Sequence, residues 1–413
     1  MPERAILHID MNNFYASVEC MLNPELKPFP IAVCGSQEER HGIVLAKNYA
    51  AKAKGVSTGE AIWQAKLKCP NLVVVPPHYD QYMKFSKLAR EIYGRYTDLI
   101  EPFGMDEVWA DVTGSQRAMG TPLHMAEEIK KTITYELGLT VSIGVSFNKI
   151  FAKLGSDMKK PDAITVINKE TFREQIWNLP ASDMLGVGRA TEKKLSSVGI
   201  RTIGQIAQFP CDYFQRKLGK CGVDLWRFAN GMDDSQVTVR DYEAPDKSVG
   251  HGMTAIQDLE NDAEVWKFIL ELCQDIGHRL YVFNKKATGI AIAIRDNELF
   301  TKQWQSAIPV PTQSPSSIAK EAFSLFLRSY DWKRPIRSLT VRAINLTSLD
   351  TPCQLDIFSD PVKVARAEAL DKTIEELRYR FGKKIIRNAC LLDNPKMSAH
   401  DNPDIIMPTG VPQ

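Results

Sequence analysis

The chain has 413 residues, enough for several domains, and its 44% apolar and 25% charged residues describe an ordinary globular protein. Lys+Arg 52 against Asp+Glu 50 leave a net charge of +2, so a nucleic-acid surface would have to come from segregated charge rather than overall excess. The eight cysteines form no C-x-x-C pair or zinc spacing, and neither a signal peptide nor a membrane-length apolar run stands out, which predicts reduced thiols in a cytoplasmic chain, with nothing demanding more than a monomer.

Ala5 to Ile9 is a short apolar run, expected as a buried strand ending at Asp10. A helix follows from Phe14 to about Leu22, stopped by Asn23-Pro24. Short strands are expected over 31–34, 42–46 and 72–75, with a helix over 48–54 closed by Gly55. Tyr82, Phe85, Leu88, Ala89, Ile92 and Tyr96 mark one face of an amphipathic helix. Next comes a hairpin, 100–103 and 108–112, with Asp106-Glu107 near its turn. A second helix starts at Pro122, and Val141, Ile143 and Val145 alternate as a strand. The pattern suggests an α+β sheet with helices on one side.

Residues 168–233 read as helical and carry Leu185-Gly186-Val187-Gly188-Arg189. Beyond a linker, strands 248–255, 287–295 and 336–346 alternate with helices 262–282 and 315–330, a separate small α+β domain whose connection at 308–316 holds three prolines. A tail helix from Pro361 to Phe381 aligns Ala367, Leu370, Ile374, Leu377 and Phe381, and the stretch after Pro395 is expected to be disordered.

If Asp10 and the Asp106-Glu107 hairpin share a sheet, three carboxylates converge at its edge. Crowded acids are unfavourable unless cations neutralise them. Oxygen donors without His or Cys point to magnesium or manganese, and two such ions suit in-line phosphoryl transfer. On spacing alone, a polar turn and a helix-capping Asp10 explain the same residues equally well.

The wider motifs decide between these readings. Asp10 to Glu19, Phe103 to Glu107, Asn48-Tyr49, Gly144 to Lys149, Asp157 to Pro161 and Leu185 to Gly188 occur in order. Together they resemble the motifs of the Y-family translesion DNA polymerases, and within that family the bacterial DNA polymerase IV type. The resemblance implies a multidomain α+β, right-hand polymerase. Its palm would be 1–11 and 78–167, small fingers 12–77, thumb 168–233 with a helix-hairpin-helix, linker 234–243, little finger 244–350 and tail 351–413.

It also implies catalysis at Asp10, Asp106 and Glu107, with the Met11 carbonyl completing the ligands of two Mg2+ ions, Mn2+ being a substitute. Phe14 and Tyr15 fall at the nucleotide, Tyr15 against the sugar as the steric gate, and Tyr49, Lys52 and Lys160 at the dNTP triphosphate. Gly186, Gly188, Arg295, Arg337 and Arg342 fall where primer-template DNA is held. Gln354, Leu355, Ile357 and Phe358 resemble a peptide for the bacterial sliding clamp.

The chain departs from the family pattern at Lys52, where Arg is frequent, at Gly104 for Ser and at Asn12 for Asp. Ile43 and Leu45 are bulkier than the residues some relatives place over the templating base. Gly104 to Glu107 also resembles the turn of diguanylate cyclases, a rival reading, and a catalytically silent DNA-binding scaffold is a second.

Overall fold

The computed structural model describes residues 3–40, 42–240, 242, 245–351, 361–382, 385–392 and 396–397. The expected clamp peptide at Gln354, Leu355, Ile357 and Phe358 lies outside them. Two compact units emerge, one drawn from 1–35 and 43–243, the other from 36–42 and 244–401.

In the first unit a five-stranded sheet runs in the order Ile100–Pro102, Glu107–Asp111, Ile6–Met11, Val141–Ser146, Ile164–Ile167. Ile6–Met11 is buried along its whole length because both neighbours pair with it and both faces are covered. Leu7, Ile9 and Met11 share a core with Tyr82, Ala89 and Ile92 of helix Tyr79–Tyr93 and with Ile129 and Ile133 of helix Pro122–Leu137. Thr121 caps the latter by accepting from His124 N–H, and Gly138, at φ 66°, ends it.

Ile6, His8 and Asp10 point to the opposite face, which helix Lys149–Met158 covers. The expectation of helices on one side is therefore corrected. Ile150, Phe151 and Leu154 of Lys149–Met158 recur at helical spacing and are buried, a short periodic signal that the expected elements leave out. Its glycines show why it exists. A Cβ on Gly144 would lie 1.9 Å from the Ala152 carbonyl oxygen, so strand and helix touch backbone to backbone. Gly144→Ala is expected to lower unfolding free energy by about 2–3 kcal/mol or more, measured by urea denaturation, because no flexible side chain can give way.

A smaller sheet, order Val44–Lys47, Ile31–Cys34, Val73–Val75, packs with helix Ile62–Lys68, an element absent from the sequence reading. Helices Arg189–Ser196, Ile203–Gln208 and Cys211–Ala229 build a separate core around Phe151, Ile203 and Phe214. Residues 234–240, expected as linker, lie against the five-stranded sheet unit: Val237 is buried, and Arg240 N–H donates to the Asp98 carbonyl at 2.9 Å.

The second unit is a four-stranded antiparallel sheet, order Thr301–Thr312, Lys285–Asp296, Ile336–Ser348, Ser248–Leu259. Helices Asp262–Val282 and Pro315–Ser329 cover one face through Ile290, Ile292, Leu339 and Val341. Thr301–Thr312 replaces much of the expected connection. Pro309 and Pro311 argue against a central strand, but this strand is an edge, where proline is tolerated.

Tail helix Pro361–Phe381 is present, and its apolar line is only partly covered: Ala367, Ile374 and Leu377 are half-buried, whereas Leu370 and Phe381 are exposed. Polar groups dock it as well: buried Glu375 faces His278 Nδ1 at 2.8 Å, and Arg378 donates to Gln274 at 2.8 Å. The stretch after Pro395 is corrected where it is described. Ile256 N–H donates to the Lys396 carbonyl at 3.0 Å, and Met397 packs on the sheet core.

Candidate active site

Asp10, next to last in the central strand, lies directly opposite Glu107, and Met11 N–H donates to the Asp106 carbonyl at 3.0 Å. Strand pairing thus brings all three predicted carboxylates to one sheet edge. Asp10 is 4% exposed. Burial and the Glu107 charge push its carboxyl up, opposed by Lys160 and Lys153. Burial, then Asp10 and Glu107, push Asp106 up to about 7. Among the described residues Asp106 forms no ion pair, so of the three it is the acid most in need of a cation.

Two lysines from the unforeseen helix region meet the other two acids. Lys160 Nζ lies 2.6 Å from Asp10 and 2.9 Å from Asp157. Lys153 Nζ lies 2.7 Å from Glu107, 3.1 Å from Asp157 and 3.6 Å from Asp10. Burial pulls the Lys160 ammonium down, but Asp10 and Asp157 outweigh it and leave it raised. His8 Nε2 is 3.3 Å from Glu107, and burial holds that imidazole well below its ordinary value. Lys153, Asp157 and His8 were not foreseen as site residues. The i,i+4 spacing of Lys153 and Asp157 places them on one helical face, and Lys160 meets Asp157 from just past the helix end.

Among the described residues, no three His, Cys, Asp or Glu side chains stand arranged to grip a metal, and Asp10 and Glu107 are paired with lysines. The donor set nevertheless fits divalent cations. It is all oxygen, and Asp106, raised by burial and then by Asp10 and Glu107, has no cationic partner among the described residues.

These acids open on a cavity of about 340 Å³ that Met11, Phe14, Tyr15, Lys160, Leu45 and Lys47 also line. Phe14 is 3% exposed and mainly core, whereas Tyr15 stacks on Tyr82 at 4.2 Å between centroids. Tyr49 and Lys52 are not on the cavity wall. Tyr49 OH donates to Asn12 Oδ1 at 3.3 Å, and Lys52 Nζ sits 5.6 Å from the Tyr49 ring centroid.

Gly186 takes φ 92°, a left-handed conformation that suits glycine, and Gly188 is the N-cap of helix Arg189–Ser196. In the other unit, Arg295 and Arg342 lie on the sheet face away from the helices, beside Gly250, Gly252 and Ala291. Arg342 donates to Gln303 at 2.6 Å. Arg337 sits at a register break between Ile336 and Ser338. None of the helices among the described residues is long and apolar enough to cross a membrane.

A carboxylate-edged sheet, a small second sheet over its cavity, a helical unit and a separate open-faced sheet together define a right-hand polymerase fold. Family models agree: the impB/mucB/samB family matches residues 9–157, its C-terminal domain 246–357, and the DNA polymerase-iota thumb domain 182–233. DNA polymerase IV of Acetivibrio thermocellus is 49% identical over 95% of this chain and 98% of its own length. DNA polymerase IV 1 of Bacillus subtilis is 38% identical over 94% and 93%. A chimeric Y-family DNA polymerase shares the fold with TM-score 0.74 at 24% identity, covering 83% of this chain and 99% of that one. The chain belongs to the impB/mucB/samB family, the Y-family DNA polymerases.

Proposed function

We propose that this chain is a template-directed, error-prone translesion DNA polymerase without proofreading, acting as a cytoplasmic monomer. It would join dNTPs to a primer 3′-hydroxyl and release pyrophosphate. One observation carries the reading: three carboxylates, an aromatic wall and a lysine converge on a single nucleotide-sized cavity.

Asp10, Asp106, Glu107 and the Met11 carbonyl would hold two Mg2+ ions, or Mn2+ in their place. Bound there, such ions supply Lewis acidity to the attacking and leaving oxygens. Lys160 neutralises the incoming triphosphate, with Tyr49 and Lys52 orienting it from the small sheet. Tyr15 bounds the sugar. Gly186 and Gly188 offer backbone amides to a DNA phosphate, and Arg295, Arg337 and Arg342 make salt-sensitive contacts to the duplex.

The test is extension of a labelled primer on undamaged and lesion-bearing templates with dNTPs and magnesium. Templated products that continue past the lesion support the reading. A cyclic product from GTP alone would favour the cyclase, and DNA binding without synthesis the silent scaffold.

We also place the sliding clamp among the partners, through Gln354, Leu355, Ile357 and Phe358. Apolar anchors at this spacing suit a hydrophobic groove, and tethering offsets weak DNA affinity. Replacing Leu355 and Phe358 with alanine is expected to remove clamp stimulation of synthesis, at least about tenfold, while basal extension is unchanged. Equal stimulation of the double variant would remove the peptide from this role.

A further inference from the structure

Lys47 ends strand Val44–Lys47, and the two-residue alternation of a strand puts it on the same side as Leu45, facing the cavity. Thr58, from the loop after helix Tyr49–Ala53, lines the cavity beside it. Lys47 Nζ donates to Thr58 Oγ1 at 2.9 Å. The nearest acid is already engaged: Glu60 pairs with Lys68 and accepts from Ser57 N–H at 2.7 Å. Among the described residues Lys47 has no carboxylate within ion-pair distance, and Lys52 stands close enough to repel it. Burial, then Lys52, pulls the Lys47 ammonium below its ordinary value.

The cavity therefore has two unlike lysines. Lys160 is neutralised by Asp10 and Asp157, whereas Lys47 is held by a neutral hydroxyl. A partly buried ammonium with spare donors, next to a second ammonium, favours an anion of several charges. Thr58, accepting from Lys47, keeps its own O–H proton free to donate to the same anion.

We propose that Lys47 and Thr58 form a phosphate-binding contact on the small-sheet side of the cavity. The inference rests on the polymerase reading. Two sources share this chemistry, the triphosphate of the incoming nucleotide and a phosphate of the template backbone, and the triphosphate is expected because Lys47 shares a cavity with Lys160.

The experiment compares wild type, Lys47→Met, Lys47→Arg and Thr58→Val in steady-state primer extension, with duplex affinity measured by anisotropy at several salt concentrations. Methionine keeps an unbranched side chain only one atom shorter and removes the charge together with the N–H donors. Lys47→Met should raise the KM for dNTP about tenfold with kcat within about threefold, and Lys47→Arg should restore it. Thr58→Val should raise KM by a smaller factor. An unchanged KM with weaker duplex binding, and a salt slope lowered by about one, would support the contact and assign it to the template. Unchanged KM and unchanged duplex affinity would overturn the proposal, as would a fall in kcat and thermal stability with KM untouched. Failure of wild type to extend a primer at all would instead sink the polymerase reading, so the two failures are distinguishable.

Discussion

Asp106→Ala is expected to lower templated primer extension by about a thousandfold or more, with duplex affinity retained. Asp106 is the acid whose environment is least compensated. Lys153 and Lys160 sit on Glu107 and Asp10, while burial and those two neighbours leave Asp106 raised to about 7. Its carboxylate contributes little to the fold and much to any cation bound there. The same residue should show an opposite effect on stability. Its folded pKa lies above the ordinary carboxylate value, so between the two values the folded state holds more protons than the unfolded state. Stability therefore falls as pH rises through that window, and the loss is complete above about pH 7. With chelator present at pH 8, Asp106→Asn should stabilise the chain by an amount on the order of 2–4 kcal/mol, an upper range for this burial. At pH 4 the gain should vanish. Full synthesis by Asp106→Ala would remove this acid from the reaction, and a thermal midpoint for Asp106→Asn equal to wild type at pH 8 would remove the electrostatic account.

How much of this arrangement is visible in the chain itself depends on the kind of signal each element leaves. The central strand was legible because an apolar run stops at an acid, and a strand buried on both faces needs such a run. Asp106 and Glu107 were legible as a pair, and antiparallel pairing supplied their meeting with Asp10. Helix Lys149–Met158, left out of the expected elements, buries Ile150, Phe151 and Leu154 in the helical core, but its face toward the sheet is set by close backbone approach, with Gly155 against Gly144, which no residue pattern announces. Its Lys153 was lost with it, although no other lysine reaches Glu107 among the described residues. Strand Thr301–Thr312 was masked by prolines that only an edge position allows. The tail helix misled in the other direction. Its apolar line is half-buried at Ala367, Ile374 and Leu377 and exposed at Leu370 and Phe381, while Glu375 is buried against His278 and Arg378, so polarity alone does not locate the docking face. Lys47 and Thr58 meet only through the turn that returns the chain to its own strand, and their residue types give no notice of it.

The second large effect concerns the sugar. Tyr15→Ala is expected to cut the preference for dNTP over rNTP, as a ratio of kcat/KM, by roughly a hundredfold or more. A wall excludes a hydroxyl only if it cannot move, and Tyr15 is held on three sides. Its ring lies parallel to Tyr82, 4.2 Å away and tilted by 9°, and meets Tyr79 edge-on at 6.0 Å. Its OH donates to Met105 Sδ at 3.4 Å. Tyr82 is itself fixed, since its OH donates to Glu19, whose carboxylate also lies 3.0 Å from His78 Nδ1. Burial, then the Asp106 charge and Tyr79, push the Tyr15 phenol up to about 12, so it is neutral at every working pH, and any discrimination it makes is expected to come from shape. Tyr15→Phe should therefore keep the discrimination, because the ring and its stack remain. Truncating Tyr82 should weaken discrimination partway, because the wall loses its backing without losing its surface. Retained selectivity in Tyr15→Ala would move the gate to another residue of the cavity. Lost selectivity in Tyr15→Phe would mean that the hydroxyl, and not the bulk of the ring, reads the sugar.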